Sequence, residues 1–178
     1  MARTLVLTVI GPDRPGLVEE LARVIAARGG SWDESRMARL AGHFAGVVQI
    51  HLPEEAVPGL IADLPGLAAR GLSASVFDSE AGDADAGPAE SLWLELVGQD
   101  RPGIVRDVSR ALAALSVNVL DLWTAVESAP MSGERLFRAR AELAPPAGLG
   151  KDAIRRTLER LAADMMVDLT LDEHPPGD

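Results

Sequence analysis

The chain has 178 residues, of which 17 are Lys or Arg and 27 are Asp or Glu, so its formal net charge is −10. Residues 1–90 hold 7 basic and 13 acidic side chains and residues 91–178 hold 10 and 14, so neither half has the positive charge that broad nucleic-acid binding requires. Cysteine is absent, which excludes disulfides and thiolate chemistry. Hydrophobic residues make up 47% of the chain, so we expect a folded protein with a core. The apolar stretches are shorter than the ~18 residues of a membrane span. We therefore expect a cytoplasmic protein that binds neither membranes nor nucleic acid directly.

The first half of the chain predicts six elements in the order βαββαβ. The first strand is an apolar run of strand length, and apolar side chains recur every three or four residues along the helices. Gly29-Gly30 is a typical helix end, and Ala41-Gly42 is a typical hairpin turn. The predicted elements are the strand Thr4–Ile10, the helix Gly16–Arg28, the hairpin strands Ser31–Leu40 and Phe44–Leu52, the helix Val57–Arg70 and the strand Leu72–Asp78.

The second half repeats the first. Gly-Pro-Asp-Arg-Pro-Gly at residues 11–16 recurs as Gly-Gln-Asp-Arg-Pro-Gly at residues 98–103, and both are followed by the same apolar helical stripe. The repeat predicts Leu92–Val97, Gly103–Leu115, Asn118–Val126, Leu136–Leu143, Lys151–Met165 and Met166–Asp172 as its elements. Residues 79–90 have linker composition. We therefore predict a domain at 1–78, a linker at 79–90, a second domain at 91–173 and a tail at 174–178.

The order βαββαβ, twice, predicts an α+β protein with two ferredoxin-like domains in tandem. Two helices cover only one face of each four-stranded sheet. The first strand is apolar on both faces, with Leu5, Leu7 and Val9 on one and Val6, Thr8 and Ile10 on the other, which is typical of a strand covered on both sides. We therefore expect the two halves to pack side by side through their sheets, or the protein to form a homodimer.

The repeated signature lies between the first strand and the first helix of each half and has two interpretations. In the structural one, Asp13 or Asp100 caps the helix, a proline occupies its first turn and the last glycine permits a close approach to the backbone. In the functional one, the free amides at the helix start bind a carboxylate while the aspartate binds an ammonium group. The second interpretation describes a site for a free amino acid that needs no nucleophile.

The signature, the amphipathic helix and the small-residue turn after it resemble the ACT domain family in both halves. Gly29-Gly30-Ser31-Trp32 and Ser116-Val117-Asn118-Val119 stand where the family commonly has Gly-x-Asn-Ile. The resemblance implies a non-enzymatic regulatory protein that binds a small amino acid, glycine or serine first, and modulates a protein partner such as a transcriptional regulator of glycine or other amino-acid metabolism. It implies no cofactor and no metal.

The family's ligands lie between the loop after the first strand of one domain and the start of the second strand of a neighbouring domain. Carried over by position, this implies ligand contacts at Gly11, Asp13, Arg14, Pro15, Gly16, Ser31 and Trp32 in the first half and at Gly98, Asp100, Arg101, Pro102, Gly103, Asn118 and Val119 in the second. Asn118 fits the family pattern better than Ser31, because an amide both donates and accepts hydrogen bonds. Trp32 is bulky enough to fill its pocket, so the better candidate site contains Asn118.

Other functions stay open at this point. The sequence has no Gly-x-Ser-x-Gly elbow, no dinucleotide-binding glycine motif and no phosphate loop, which disfavours an enzyme. His43 and His51 are eight residues apart in one predicted strand, roughly 26 Å, too far to share a metal ion. A protein–protein adaptor without a functional ligand site is the main alternative, and its acidic charge suits a basic partner. A regulatory subunit of an amino-acid or folate enzyme is a further one.

Overall fold

The computed structural model describes residues 1–79, 91–129 and 133–175. The chain forms two compact units, Met1–Ala84 and Asp85–Asp178. Most of the predicted linker and the last residues of the predicted tail lie outside the described residues, so those boundaries stay predictions. None of the described helices is long and apolar enough to cross a membrane.

The first unit is a four-stranded antiparallel sheet with two helices. Its elements are β1 (Ala2–Pro12), α1 (Leu17–Ala27), β2 (Ser31–Leu40), β3 (His43–Pro53), α2 (Val57–Ala68) and β4 (Ser73–Asp78), with a short 3-10 turn (Glu54–Ala56) before α2. The strands are ordered β2-β3-β1-β4. Pro58 lies in the first turn of α2, where its missing N–H leaves no helical bond unmade, and the helix continues through Pro65.

The second unit repeats this topology. Its elements are β5 (Leu92–Gln99), α3 (Ile104–Ala114), β6 (Asn118–Ser128), β7 (Arg135–Ala144), α4 (Lys151–Met165) and β8 (Val167–Asp172). The strands are ordered β6-β7-β5-β8, which is the order of the first unit shifted by four. The predicted fold class, two ferredoxin-like βαββαβ domains, is confirmed.

Each unit has its own core because one apolar stripe of its first helix meets one face of its sheet. On α1 the buried side chains are Leu17, Leu21 and Ile25, at the four-residue spacing that keeps them on one helix face. The matching buried residues of α3 are Ile104, Val108 and Leu112. Each stripe belongs to a separate cluster of buried side chains.

The second face of the first sheet carries apolar side chains that stay accessible. Leu5, Leu7 and Val9 of β1 are buried, whereas Ile10, on the opposite face, is 54% exposed and Phe77 of β4 is 56% exposed. This alternation follows the two-residue period of a strand. The expected side-by-side packing of the two halves stays a prediction.

The second strand of each unit contains a bulge at the same place. In β2 the register shifts between Trp32 and Ser35, and in β6 it shifts between Val119 and Asp121. In β6 the extra residue is Leu120, which has no partner in the ladder to β7. A bulge reverses the facing of the residues after it, so Val119 and Leu122 of β6 both reach the helix side of the sheet.

Candidate functional site

The loop after the first strand enters the first helix through a left-handed glycine in both units. Gly16 and Gly103 are the N-cap residues, with φ of 92° and 95°, a conformation that glycine adopts without steric cost. Neither helix has a side-chain cap. The predicted capping by Asp13 and Asp100 is therefore wrong, because the glycine turn separates each aspartate from the first helical residues.

The two aspartates instead hold the loop to the neighbouring hairpin. Asp13 forms an ion pair with Arg39 at 2.6 Å, and its backbone N–H donates to the carbonyl of Gly42. In the second unit, Asp100 pairs with Arg135 at 3.1 Å and its N–H donates to the carbonyl of the same arginine. Asp13 and Asp100, the candidates for binding an ammonium group, are thus each paired with a guanidinium group. A bound ammonium group would share the carboxylate with that arginine.

Arg14 is also fixed within its own unit. Its guanidinium donates to Glu20 at 3.1 Å and to the backbone carbonyl of Arg70 at 3.0 Å. Glu20 contacts Arg70 as well. The hydrogen bond from Arg14 is the main reason that the pKa of Glu20 lies below its usual value. Arg14 therefore connects the loop to the first turn of α1 and to the end of α2.

Arg101, the counterpart of Arg14, is left available in the second unit. Asp107 stands at the position of Glu20, but it pairs with Arg106 and Arg110, and the hydrogen bond from Arg106 is the main cause of its lowered pKa. Arg101 is exposed, and its charge contributes to the lowered pKa of Asp107, but it makes no hydrogen bond or ion pair with any residue in the described parts of the chain. The two loops thus have the same backbone conformation and the same ion pair between an aspartate and an arginine of the hairpin. They differ in the arginine after the aspartate, which is hydrogen-bonded in the first unit and not, among the described residues, in the second.

Gly11 and Gly98 are required by close packing inside each unit. A Cβ on Gly11 would lie 2.1 Å from the carbonyl oxygen of Gly71, and a Cβ on Gly98 would lie 2.3 Å from a side-chain carbon of Val167. Gly71 lies just before β4, and Val167 is the first residue of β8, so both contacts are at the start of the last strand of the unit. These two site candidates therefore have a structural role in both copies, whereas Pro15 and Pro102 lie exposed in the turn before the helix.

The remaining candidates lie at the opposite end of each sheet. Ser31 of β2 pairs with His51 of β3, which pairs in turn with Thr4 of β1. Thr4 lies seven residues before Gly11, so at strand rise the two ends of β1 are about 23 Å apart. In the second unit, Val119 of β6 pairs with Leu143 of β7, which pairs in turn with Leu92 of β5. Leu92 lies six residues before Gly98. Ser31 and Asn118 are exposed, while Trp32 and Val119 pack against the cores of their units. No single unit brings its signature loop and its second-strand start together.

A row of three polar side chains crosses the first sheet beside Ser31. Thr4 Oγ1 lies 3.0 Å from His51 Nε2, and His51 Nδ1 contacts the carboxylate of Asp33. The sequence places Thr4 and His51 in two predicted strands, but the pairing register that joins them is not readable from the sequence. The row fixes the His51 ring between a hydroxyl and a carboxylate on the open face of the sheet.

Comparison with known proteins agrees with this architecture. Residues 3–77 match the ACT domain family. The crystal structure of an unknown protein from Galdieria sulphuraria is 28% identical, with a TM-score of 0.80 over 98% of this chain and 99% of that chain. A "putative glycine cleavage system transcriptional repressor" is 18% identical, with a TM-score of 0.71 over 97% of both chains. No curated protein matches.

Both structures align with nearly the whole of this chain, so the two-unit fold is common to all three proteins. The match of residues 3–77 covers all of the first sheet apart from its outermost residues. The second unit has the same strand order and the same loop signature. The first unit thus matches the ACT domain family over residues 3–77, and the second unit repeats its fold.

Proposed function

We propose that this tandem ACT protein is a non-enzymatic regulator that binds a small free amino acid and passes the signal to a protein partner. One observation carries the proposal. The same loop, with a left-handed glycine, a helix start without a side-chain cap and an aspartate held by an arginine, occurs in both units. A structural cap accounts for neither copy, because the aspartates do not reach the helix amides.

The chemistry of this loop suits a zwitterion. The first N–H groups of a helix lack intrahelical partners and favour a carboxylate, which the helix dipole further stabilises. Asp13 and Asp100 supply negative charge for an ammonium group beside the same turn. Arg101 adds an exposed guanidinium that can bind the carboxylate in the second unit, because its interaction with Asp107 acts through charge and not through a close ion pair.

The separation within each unit supports a site that is built by two ACT domains. Because Ser31 lies about 23 Å from the loop of its own unit at strand rise, a ligand that touches both kinds of segment must receive the second one from another domain. The same argument applies to Asn118. We include a homodimer among the arrangements that provide this second domain.

Glycine and serine are the first ligands to test, and a transcriptional regulator is the first kind of partner. The fold is shared with a protein described as a glycine cleavage system repressor. The net charge of −10 suits a basic protein surface. A ligand that prefers one packing of the ACT domains changes the affinity for the partner, and the partner changes the affinity for the ligand by the same factor.

Thermal unfolding of the full chain against a panel of free amino acids tests the proposal. A ligand at ~100 times its dissociation constant adds ~2.7 kcal/mol to the stability of the folded state. For domains of this size we expect a midpoint rise of roughly 5–10 °C. The rise should disappear in Asp100→Ala and in Asn118→Ala, and the exposed Asp164→Ala on α4 serves as a control that retains it.

An unchanged unfolding midpoint with every amino acid at millimolar concentration, in a wild-type chain and an Asp164→Ala variant that are both folded, would contradict the proposed amino-acid binding. It would favour the adaptor without a functional ligand site. Binding that persists in Asp100→Ala and Asn118→Ala but is lost in Asp13→Ala would move the site to the loop of the first unit.

A further inference from the structure

The second sheet has one face in the core and one face that its helices leave uncovered. Leu94 and Leu96 of β5 are buried in the core with α3 and α4. Trp93 and Glu95, which alternate with them along the strand, point to the opposite face and are half-buried. Residues paired across the ladders share this face. We call it the acidic face, which consists of Trp93, Glu95, Val97 and the residues in register with them on β6, β7 and β8.

The acidic face carries more carboxylates than guanidinium groups. Its carboxylates are those of Glu95, Asp121, Glu127, Glu142, Asp168 and Asp172. Its two guanidinium groups form ion pairs within the face, Arg138 with Glu127 at 3.2 Å and Arg140 with Glu95 at 2.7 Å. Six carboxylates and two guanidinium groups give this face a formal charge of −4, a large share of the −10 of the chain.

The two carboxylates on the outer strand β8 have no cationic partner. Asp168 and Asp172 are exposed, and neither side chain forms a hydrogen bond or an ion pair with a residue in the described parts of the chain. They are four residues apart, which corresponds to about 13 Å at strand rise. Among the described residues, no three His, Cys, Asp or Glu side chains are placed to hold a metal ion. Carboxylates at this spacing suit several cationic side chains of one extended segment.

Two tryptophans lie among these carboxylates. Trp93 is paired with Glu142 on one side and with Asp172 on the other. Trp123 is 50% exposed, and the guanidinium carbon of Arg140 lies 5.9 Å from the centre of its ring. Both tryptophans line an open pocket of about 280 Å³. Because the face of an indole ring attracts cations, the acidic face combines two kinds of group that bind a guanidinium or an ammonium group.

The charge of the acidic face also disfavours a second copy of the chain as its occupant. A symmetric dimer through this face would bring two surfaces of like charge together, which costs free energy. The corresponding face of the first sheet has a different character, since it exposes the apolar side chains of Ile10, Val47 and Phe77. The complementarity to a cationic partner is therefore a property of the second unit.

We propose that the acidic face is the docking surface for a basic segment of the protein partner, an extended stretch in which Arg or Lys alternates with uncharged residues. One cationic side chain lies on the Trp93 ring between Glu142 and Asp172. Alternate residues of an extended segment recur every ~6.7 Å on one side, so the second cation after it reaches Asp168. The inference rests on the proposed function in taking the partner to be a protein with a basic surface, and it assigns that contact to the second sheet.

Isothermal titration calorimetry of the full chain tests the docking surface with a synthetic peptide in which arginine alternates with serine. A peptide with citrulline in place of arginine has the same shape without the charge, and we expect it not to bind. Asp168→Asn combined with Asp172→Asn should weaken binding of the arginine peptide roughly twofold to thirtyfold, the range for two exposed ion pairs. Trp123→Ala should weaken it roughly twofold to fivefold through the lost ring face.

Glu159→Gln combined with Asp164→Asn is the matched control. It removes the same two charges from exposed positions on α4, which covers the opposite face of the sheet. At ~0.15 M ionic strength, charges more than roughly 8 Å from the peptide are largely screened, so the control should leave the affinity nearly unchanged. An unfolding midpoint like that of the wild type shows that each variant is folded.

No binding of the arginine peptide, equal binding of the citrulline peptide, or equal loss of affinity in the α4 control would overturn the docking surface. A dimer of the chain that Trp123→Ala dissociates would assign the face to a second copy and overturn it as well. If glycine or serine raises the unfolding midpoint while the acidic-face variants bind the peptide like the wild type, this inference fails and the proposed function stands. If the peptide binds through the acidic face and no amino acid raises the midpoint, the docking surface stands and the amino-acid sensor fails.

Discussion

The carboxylate of Asp13 lies 2.6 Å from the guanidinium of Arg39, and this pair fastens the loop after β1 to the end of β2. The same relationship joins Asp100 to Arg135 in the second unit, from the other strand of the hairpin. The duplicated signature thus retains a contact that determines where the loop lies before any ligand arrives. A preorganised loop reduces the ordering cost of binding.

The Asp13–Arg39 pair should contribute little to stability. Both side chains are partly exposed, so a double-mutant cycle with Asp13→Ala and Arg39→Ala should give a coupling free energy of about 0.2–1 kcal/mol, which decreases at high salt. Urea unfolding followed by Trp32 fluorescence, with Trp93 and Trp123 replaced by Phe, measures it in the first unit. A coupling several times larger would show that the loop depends on this pair to fold.

Gly11→Ala should destabilise the first unit by about 1–3 kcal/mol, the usual cost of forcing extra atoms into a packed site. The added Cβ would lie 2.1 Å from the carbonyl oxygen of Gly71, so the backbone must shift. Gly66→Ala is the matched control in α2, where nothing lies near the new Cβ, and it should stabilise by about 0.5–1 kcal/mol. Urea denaturation of both variants checks the opposite signs.

Arg14→Gln should destabilise the protein in a pH-dependent way. The hydrogen bond from Arg14 lowers the pKa of Glu20 in the folded state. That contribution is present above the pKa of an unfolded glutamate and is lost as the pH falls through the folded-state value. The difference in unfolding free energy between wild type and Arg14→Gln should therefore be largest near neutral pH and decrease in acid. In a Glu20→Gln background the difference should no longer change with pH, and persistence of the pH dependence there would assign it to another group.

Ala141→Val should stabilise the second unit by about 0.5–2 kcal/mol, because it partly fills the apolar cavity of about 40 Å³ that lies between α3 and the sheet. The reverse change in the first unit, Val48→Ala, should destabilise it, since Val48 is fully buried. Chemical denaturation in a Trp32→Phe background reports the second unit through Trp93 and Trp123. Destabilisation by Ala141→Val would mean that the surrounding side chains have no room for the added methyl groups.

Most of the fold could be predicted from the sequence, because the spacing of the apolar residues and the turn residues between them indicated the same helices and strands. The apolar run of β1 identified a strand, the four-residue stripe of α1 identified a helix and the glycine pair identified its end. The repeat supplied the second unit. The predicted boundaries of β2 and α4 coincide with those of the structure. The strands β1 and β6 extend beyond the predicted ends, because ladder hydrogen bonds continue past the apolar pattern.

The candidate site was less predictable, since it depends on side-chain partners. An aspartate near a helix start is a candidate cap, yet Gly16 occupies the cap position of α1 in a left-handed conformation, and Asp13 pairs instead with Arg39, which is distant in sequence. The separation of Ser31 from Gly11 follows from β1 and β2 running in the same direction, and becomes a distance only once the register is known. The cavity depends on the combined volumes of Val119 and Ala141, which no single position reveals.

The bulges in β2 and β6 have a consequence for how the protein behaves when concentrated. Both occur on the outer strands of the sheets that the described residues form, and the edge of an outer strand is a template for pairing with other strands. A bulge bends the strand and interrupts its regular hydrogen-bond spacing, so a flat strand cannot extend the sheet past Leu120 or past the shift after Trp32. The bulge in the second strand of each unit thus also limits aggregation through edge strands. We expect deletion of Leu120 to remove the bulge from β6 and to make its edge pair more readily with strands of other molecules.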